Sequence, residues 1–576
     1  MAVRYVVSPR GGRRAYGDIA SALAEAGRRG RPARIEIEPG HYAGPLVVRG
    51  EVELVARGEP GSVVVSAPQG TVLDAAGAVR VSGLVIEGRD ADVVRCEAGT
   101  LTVEQGEIRA YQGCGAVYAA RGTAVTLRET AVLHGWVVFA GSGGLVERCE
   151  FRDGTGNALA ATEGARVVVR DSRFARARIH GIRVIGAHAE VSGCAFTGIG
   201  KAALAADGQG WLAVADCAVD DVHTDGIAYV EQAGGTVERT RVSGAEHGIA
   251  VVSGADPVVR GCAFVRCRDT GINVRAEGRG RFEECEVAEA GNVAVYVSEG
   301  GAPEVNGLRV VGGNVGVVVT GTGSRGTFRG VRVADLRSVA LRAYEGGKAV
   351  FRDVRVERCA THLETRGDAG TTAEVEGGVF RDFSLSAVEA IGLSRVMLRH
   401  VTAERGMVGF AVAEEAQLFV ADCGVREVES AGVGALGKGR LVAERLSVSG
   451  SGAIGLFARD QAVLDVSDSD FADCADMGAF FMDKAGGRFV RCTVSGTRGV
   501  GVVHNGLVSL VALESSLPVK EWAEKENPAP PTHVTYNNHV TVHGGVRDAQ
   551  IAVGNERVEM NQQIARQHSD EDGAPA

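Results

Sequence analysis

Six polar side chains, His180, Lys201, His223, Asp225, His247 and Asp269, fall at or beside the same turn in successive repeats of this sequence. A histidine and a carboxylate held close together can take and return a proton. If consecutive repeats stack at the spacing of neighbouring β-strands, about 4.8 Å, His180 and Asp225 lie two steps, about 10 Å, apart. His180, Asp225 and His247 are therefore the candidate catalytic residues. The competing reading is structural: Asp, His and Lys also populate solvated corners.

A second set is basic. Arg309, Arg332 and Arg355 occupy one outward repeat position, Arg329 and Arg352 stack three residues before it, and Arg399 follows two repeats later. Like charges at stacking distance repel, so the ladder calls either for acidic neighbours, with Asp353 and Glu357 at hand, or for an anionic ligand. Guanidinium forks suit carboxylates and phosphates. Arg309, Arg329, Arg332, Arg352 and Arg355 are the candidate binding residues. A third set, Asp465, Asp468, Asp470, Asp473, Asp476 and Asp483, lacks the spacing of a calcium loop and reads as a solvated acidic flank. Seven of the twelve cysteines share one inward repeat position (Cys149, Cys194, Cys217, Cys262, Cys285, Cys423 and Cys492), and three more, Cys267, Cys359 and Cys474, share another. Without a C-x-x-C pair or a Cys/His zinc spacing they read as small packed side chains. No metal and no cofactor is expected.

The element that must position these residues is a repeat. From Leu145 to about Leu510 an apolar marker returns sixteen times, at Phe151, Phe174, Phe196, Val219 and so on to Val494, always 22 to 24 residues apart. A sustained period of this length means a solenoid. Within each repeat the inward positions lie five and two residues before the marker and at the marker itself. The three-residue step breaks strict alternation and implies a bend between two short strands. Six or seven residues later many repeats place a glycine before a second alternation, as in Gly181-Ile182-Arg183-Val184, Gly271-Ile272-Asn273-Val274 and Gly409-Phe410-Ala411-Val412. Short strands with glycine corners and no helical period predict an all-β chain, a single right-handed parallel β-helix. Leucine-rich repeats would need an asparagine ladder, and helical repeats long amphipathic runs.

The opening of the chain makes the resemblance specific. The Ser8-Pro9-x-Gly11-Gly12 turn, the Ile19-Ala20-Ser21-Ala22-Leu23 helix and the Pro39-Gly40-x-Tyr42 turn resemble the N-terminal cap of the pectin-lyase-like β-helix superfamily. The later coils are similar to the generic repeats of the same superfamily. Here an amphipathic helix from about Tyr16 to Arg28, with Ile19, Leu23 and Ala26 on one face, is expected to cover the open end of the sheets. The resemblance implies fold more than activity. Asp220-Asp221 matches one acidic pair of polygalacturonases, but the Gly-His-Gly and Asn-Thr-Asp motifs are missing. The strand "ARIHGIRV" matches their Arg-Ile-Lys strand only loosely, and neither a pectin methylesterase aspartate pair nor a pectate lyase calcium cluster can be assigned.

The predicted organisation is a cap over 1–65, a β-helix over 66–513, a linker over 514–533, a small β-rich appendage over 534–564 and a disordered tail over 565–576. Coils before residue 145 are less regular, with the marker followed at Ile86, Ile108 and Val132. A net charge of −10 spread along the chain disfavours nucleic acid, and no apolar run long enough to span a membrane occurs. The N-terminus lacks a signal peptide's apolar core. With many unpaired thiols this points to the cytoplasm. The appendage is too small to hold its own core and is expected to dock on the β-helix, self-associate or accept a protein partner by strand addition. These readings favour a non-enzymatic scaffold presenting long faces to a protein or an anionic partner. The rival is a carbohydrate-active enzyme, a lyase or hydrolase of acidic sugars.

Overall fold

The computed structural model describes residues 2–11, 15–498, 501–504 and 509–517, and the backbone of 519–521. These residues form one helix and a solenoid in which the strands pair in parallel from coil to coil. Each regular coil contributes three short strands. In one coil they are Arg166–Arg170, Arg173–Ala175 and Ile182–Ile185, and each pairs in register with its counterpart one coil on, at His188–Ser192, Ala195–Ile199 and Leu204–Asp207. The solenoid makes about 21 turns.

The marker residues form a continuous inward column. It begins earlier than the regular repeat, running in register from Tyr42 through Val65, Ile86, Ile108 and Val132 to Phe151. Its phenylalanines stack ring on ring, with centroids 4.6 Å apart for Phe151 and Phe174 and 4.9 Å for Phe174 and Phe196. The spacing is the inter-strand distance itself, so one side chain per coil builds the core along the axis.

Two corners per coil are made by residues in the left-handed region, three before the marker and two after it; Asp171 (φ 48°) and Arg176 (φ 54°) are one such pair. The first corner is the bend that the broken alternation predicts. Non-glycine residues hold many of these corners, and charge explains why. At the second corner Arg176 bridges to Asp153 at 2.6 Å, Arg358 to Asp335 at 2.6 Å and Arg405 to Asp382 at 2.7 Å. At the first, Arg239 bridges to Asp216 at 2.7 Å, Arg445 to Asp422 at 2.5 Å and Arg491 to Asp468 at 2.5 Å. In each case the carboxylate sits one coil before the arginine, whose hydrogen bonds hold it below the usual carboxylate range. As exposed pairs they contribute modestly to stability but fix the register of successive corners.

The glycine before the third strand has a different reason. A Cβ on Gly271 would lie 2.4 Å from the Val287 side chain, the marker of the next coil, and one on Gly181 would lie 2.7 Å from that of Phe196. The marker of each coil fills the space that this glycine leaves open.

At the N-terminal end Val3–Val7 pairs with Ala33–Ile37. The helix between them spans Ile19–Arg29, starting later than the apolar pattern suggests because Asp18 caps it, its carboxylate accepting the Ser21 amide at 2.7 Å. Its face of Ile19, Ala22, Leu23 and Ala26 is buried against the first strands. At the other end the ladder continues past Leu513, with Val519–Glu521 pairing with Val502–His504. The expected appendage and tail lie outside the described residues, as does the linker from residue 522 on.

Candidate functional site

The third strand of each coil presents two inward side chains and, between them, one that faces outward. Read along the axis, that middle outward position runs in register Ala205, Ala228, Ala250, Asn273, Tyr296, Val318, Arg342, Glu364, Glu389, Ala411, Gly434, Phe457, Phe480. Alanine fills it for three coils on one side, beyond which the column goes on through Arg183, paired with Asp207, to Ala160, Val138 and Tyr118; alanine, glycine and phenylalanine fill it on the other. Hydrogen-bonding and charged groups cluster in the coils between.

At that level the third sheet is the floor of a groove of about 1110 Å³, whose lining runs from His247 to Leu385. Part of the floor is apolar: Val293, Val315 and Val318 pack with the rings of Tyr296 and Tyr344. The phenol of Tyr296 is pushed up to about 12, by burial first and then by Tyr344 beside it, so it is a proton donor at neutral pH. Arg275 and Arg337 lie exposed along the groove.

Toward its C-terminal end the floor is ionic. Arg342 donates to Glu364 at 3.1 Å, and Glu364 is in register with Glu389 on the next coil. Both carboxylates are buried, 2% and 7% exposed. Two carboxylates in such a place cannot both ionise cheaply. Burial, and secondarily the charge of Glu364, pushes Glu389 up to about 7, against the pull of Arg366 and Arg342. Glu389 is therefore partly protonated at neutral pH, whereas Glu364 is bound by Arg342.

Toward its N-terminal end lie His247 and Asp269. His247 Nδ1 is 3.6 Å from Asp269 Oδ2, and Asp269 also accepts from Asn292 Nδ2 and from Thr270 Oγ1, each at 3.1 Å. Three buried polar atoms of the lining have no hydrogen-bond partner among the described residues of the protein: His247 Nδ1, Asn273 Oδ1 and Arg342 Nε.

Of the residues singled out in the sequence, His247 and Asp269 line the groove. Asp225 sits one coil before His247, in register with it; burial raises its carboxyl, and His247 opposes the shift. His180 lies outside the groove lining and is turned to the backbone, its Nδ1 accepting the Ala202 amide at 3.2 Å, and burial, then Arg183, lowers it to about 4. Lys201 and His223 are exposed corners outside the groove lining. The arginine ladder stacks in the register read from the repeat, Arg309 to Arg332 to Arg355 on the second sheet and Arg329 to Arg352 on the first, away from the groove. Arg352 bridges to Glu376 at 3.2 Å, while Glu357 turns to Arg358 at 2.9 Å. In the acidic set Asp468 is held by Arg491 and Asp470 accepts from Thr493, and no metal-binding group of His, Cys, Asp or Glu occurs among the described residues. All twelve cysteines are free and buried.

Asn273, Tyr296, Arg342, Glu364 and Glu389 were not singled out by type or spacing. Their signal in the sequence is the residue between two inward apolar ones of the second alternation, where alanine gives way to larger polar residues for several repeats.

Residues 202–354 match the family model of a right handed beta helix region. The solenoid is a right-handed β-helix. No curated protein sequence matches the chain. Among solved structures, the β-helix is similar to a mutant of the PL6 family alginate lyase AlyGC, at 11% identity and a TM-score of 0.32, covering 90% of this chain and 100% of the other. It is similar to a mutant of the periplasmic alginate epimerase AlgG, at 11% identity and 0.28, covering 63% and 78%, and to the pre-mature bacteriophage phi29 gene product 12, at 9% and 0.32, covering 84% and 71%.

Proposed function

We propose that the β-helix is a carbohydrate-active protein that takes an acidic saccharide chain lengthwise in the groove of its third sheet. The observation that carries this reading is the unbroken run of Asn273, Tyr296, Val318, Arg342, Glu364 and Glu389 on one outward column, preceded by three alanines (Ala205, Ala228 and Ala250) and followed by alanine, glycine and phenylalanine. The lining spans six coil steps, roughly 29 Å, which suits an extended oligosaccharide rather than a small metabolite. Apolar floor under flat rings, aromatic edges and arginine forks are the groups a uronate needs.

The reaction that this lining suits is β-elimination. Arg275 or Arg342 neutralises the carboxylate that acidifies the adjacent carbon, His247 accepts the proton, and a phenol, Tyr296 or Tyr344, protonates the departing glycosidic oxygen. Glycoside hydrolysis would ask for two available carboxylates flanking one bond, and Glu364, the floor carboxylate, is bound by Arg342. The test is incubation of the full chain with a panel of polyuronates and neutral glucans, following the ultraviolet absorbance of the unsaturated uronate and the release of reducing ends. A lyase gives both signals on an acidic polymer, and Arg342→Ala and Tyr344→Phe abolish them. Absence of turnover together with binding that Arg342→Ala leaves unchanged would overturn the groove assignment and return the β-helix to the scaffold reading.

A further inference from the structure

The arginine column on the second sheet belongs to a different face from the groove. Arg309, Arg332 and Arg355 stand in register on three consecutive coils. All three are exposed, and no carboxylate lies within 4 Å of any of their guanidinium groups among the described residues, in contrast to the paired corners Asp335–Arg358 and Asp382–Arg405 close by. Across the bend, on the first sheet, Arg325, Arg329 and Lys348 are likewise exposed and form no ion pair among the described residues. Six cations thus sit on three adjacent coils. The column is bounded: Glu286 is the register partner of Arg309 at one end and Val379 that of Arg355 at the other. Repulsion within such a stack is a cost to the folded chain that an anion removes.

We propose that this column is a second binding surface, specific for an extended acidic polysaccharide lying along the solenoid axis. The sheet sets the three arginines in a straight row, their backbones about 4.8 Å apart. A stiff polymer with carboxylates at a regular repeat can meet such a row with little loss of freedom, whereas a flexible acidic peptide has to be ordered first. The same coils carry the groove residues Val315, Arg342 and Glu364 on the third sheet, so polymer held by the column is concentrated beside the groove. The surface needs no catalysis to exist and stands whether or not the groove cleaves.

The experiment is affinity electrophoresis of the full chain in gels containing polygalacturonate, polymannuronate, a neutral glucan or polyglutamate, with circular dichroism to confirm folding. Variants are Arg309→Ala/Arg332→Ala/Arg355→Ala, the Lys triple at the same positions, and the groove variant Arg342→Ala. We expect a polyuronate to retard the wild type and the neutral glucan not to. The Ala triple should bind about tenfold more weakly, three exposed ion pairs at roughly 0.5 kcal/mol each, with a flatter salt dependence. The Lys triple should recover part of the loss, and Arg342→Ala should leave the column-dependent retardation in place. Equal retardation of wild type and Ala triple by every anion would overturn the proposal. Retardation by polyglutamate alone would overturn the saccharide assignment in favour of an acidic protein partner.

Discussion

Replacing Glu389 by glutamine should stabilise the β-helix at high pH and do almost nothing at low pH. Its carboxyl is shifted from 4.5 to about 7 because burial, and then Glu364, penalise the anion. A folded-state value above the unfolded one means that the folded chain binds the proton more tightly. That stability is complete below about pH 4.5 and is lost as the pH rises through 7. The shift corresponds to about 3 kcal/mol at pH 9. Glutamine keeps the shape and neutrality of the protonated acid, so Glu389→Gln should match the wild type at pH 4 and exceed it by about 3 kcal/mol at pH 9. Long solenoids open locally; hydrogen exchange of the amides in Thr372–Gly392 is therefore the assay, with urea midpoints as a second readout. A difference that is the same at pH 4 and pH 9, or a variant less stable at pH 9, would refute the argument that the Glu364–Glu389 pair carries one proton.

The same physics gives the opposite slope at His362, which sits between the rings of Phe380 and Phe383 with both ring nitrogens unpartnered and is lowered to about 3 by burial. Its depressed value means stability present above about pH 6.5 and lost as the pH falls, about 3 kcal/mol by pH 4, so His362→Phe should flatten the acid limb of the stability profile. Gly271→Ala should destabilise by about 1–3 kcal/mol because the new methyl meets Val287 and the Ala294 carbonyl; Gly434→Ala, where nothing lies within 4 Å, should be close to neutral in the same thermal scan. The buried thiols, with Cys149 pushed up to about 11 and Cys267 to about 12, should resist an aromatic disulfide reagent in the native chain and react on unfolding.

The repeat made the solenoid legible because the marker column is a property of single positions at a near-constant spacing. Phe151, Phe174 and Phe196 can be aligned without knowing anything else. The bend was legible for the same reason, since it breaks the alternation between five and two residues before each marker. The groove was not. Tyr296, Arg342 and Glu364 stand 46 and 22 residues apart and meet only after the register of the third strand is known. That register shifts where turn lengths change, between Ala290 and Val293 for instance. The surroundings of His180 were equally out of reach, since the Ala202 amide that its ring meets lies one coil on. The arginine ladder was found because its members share one place relative to the marker.

A floor laid one tile per coil can be revised one tile at a time. The side chains that line the groove floor are the outward members of strands whose inward members make the core, so exchanging Asn273 or Val318 alters the floor rather than the stack beneath. Adding or removing a whole coil would lengthen or shorten the groove by a single strand spacing, which makes its length a property of coil number alone.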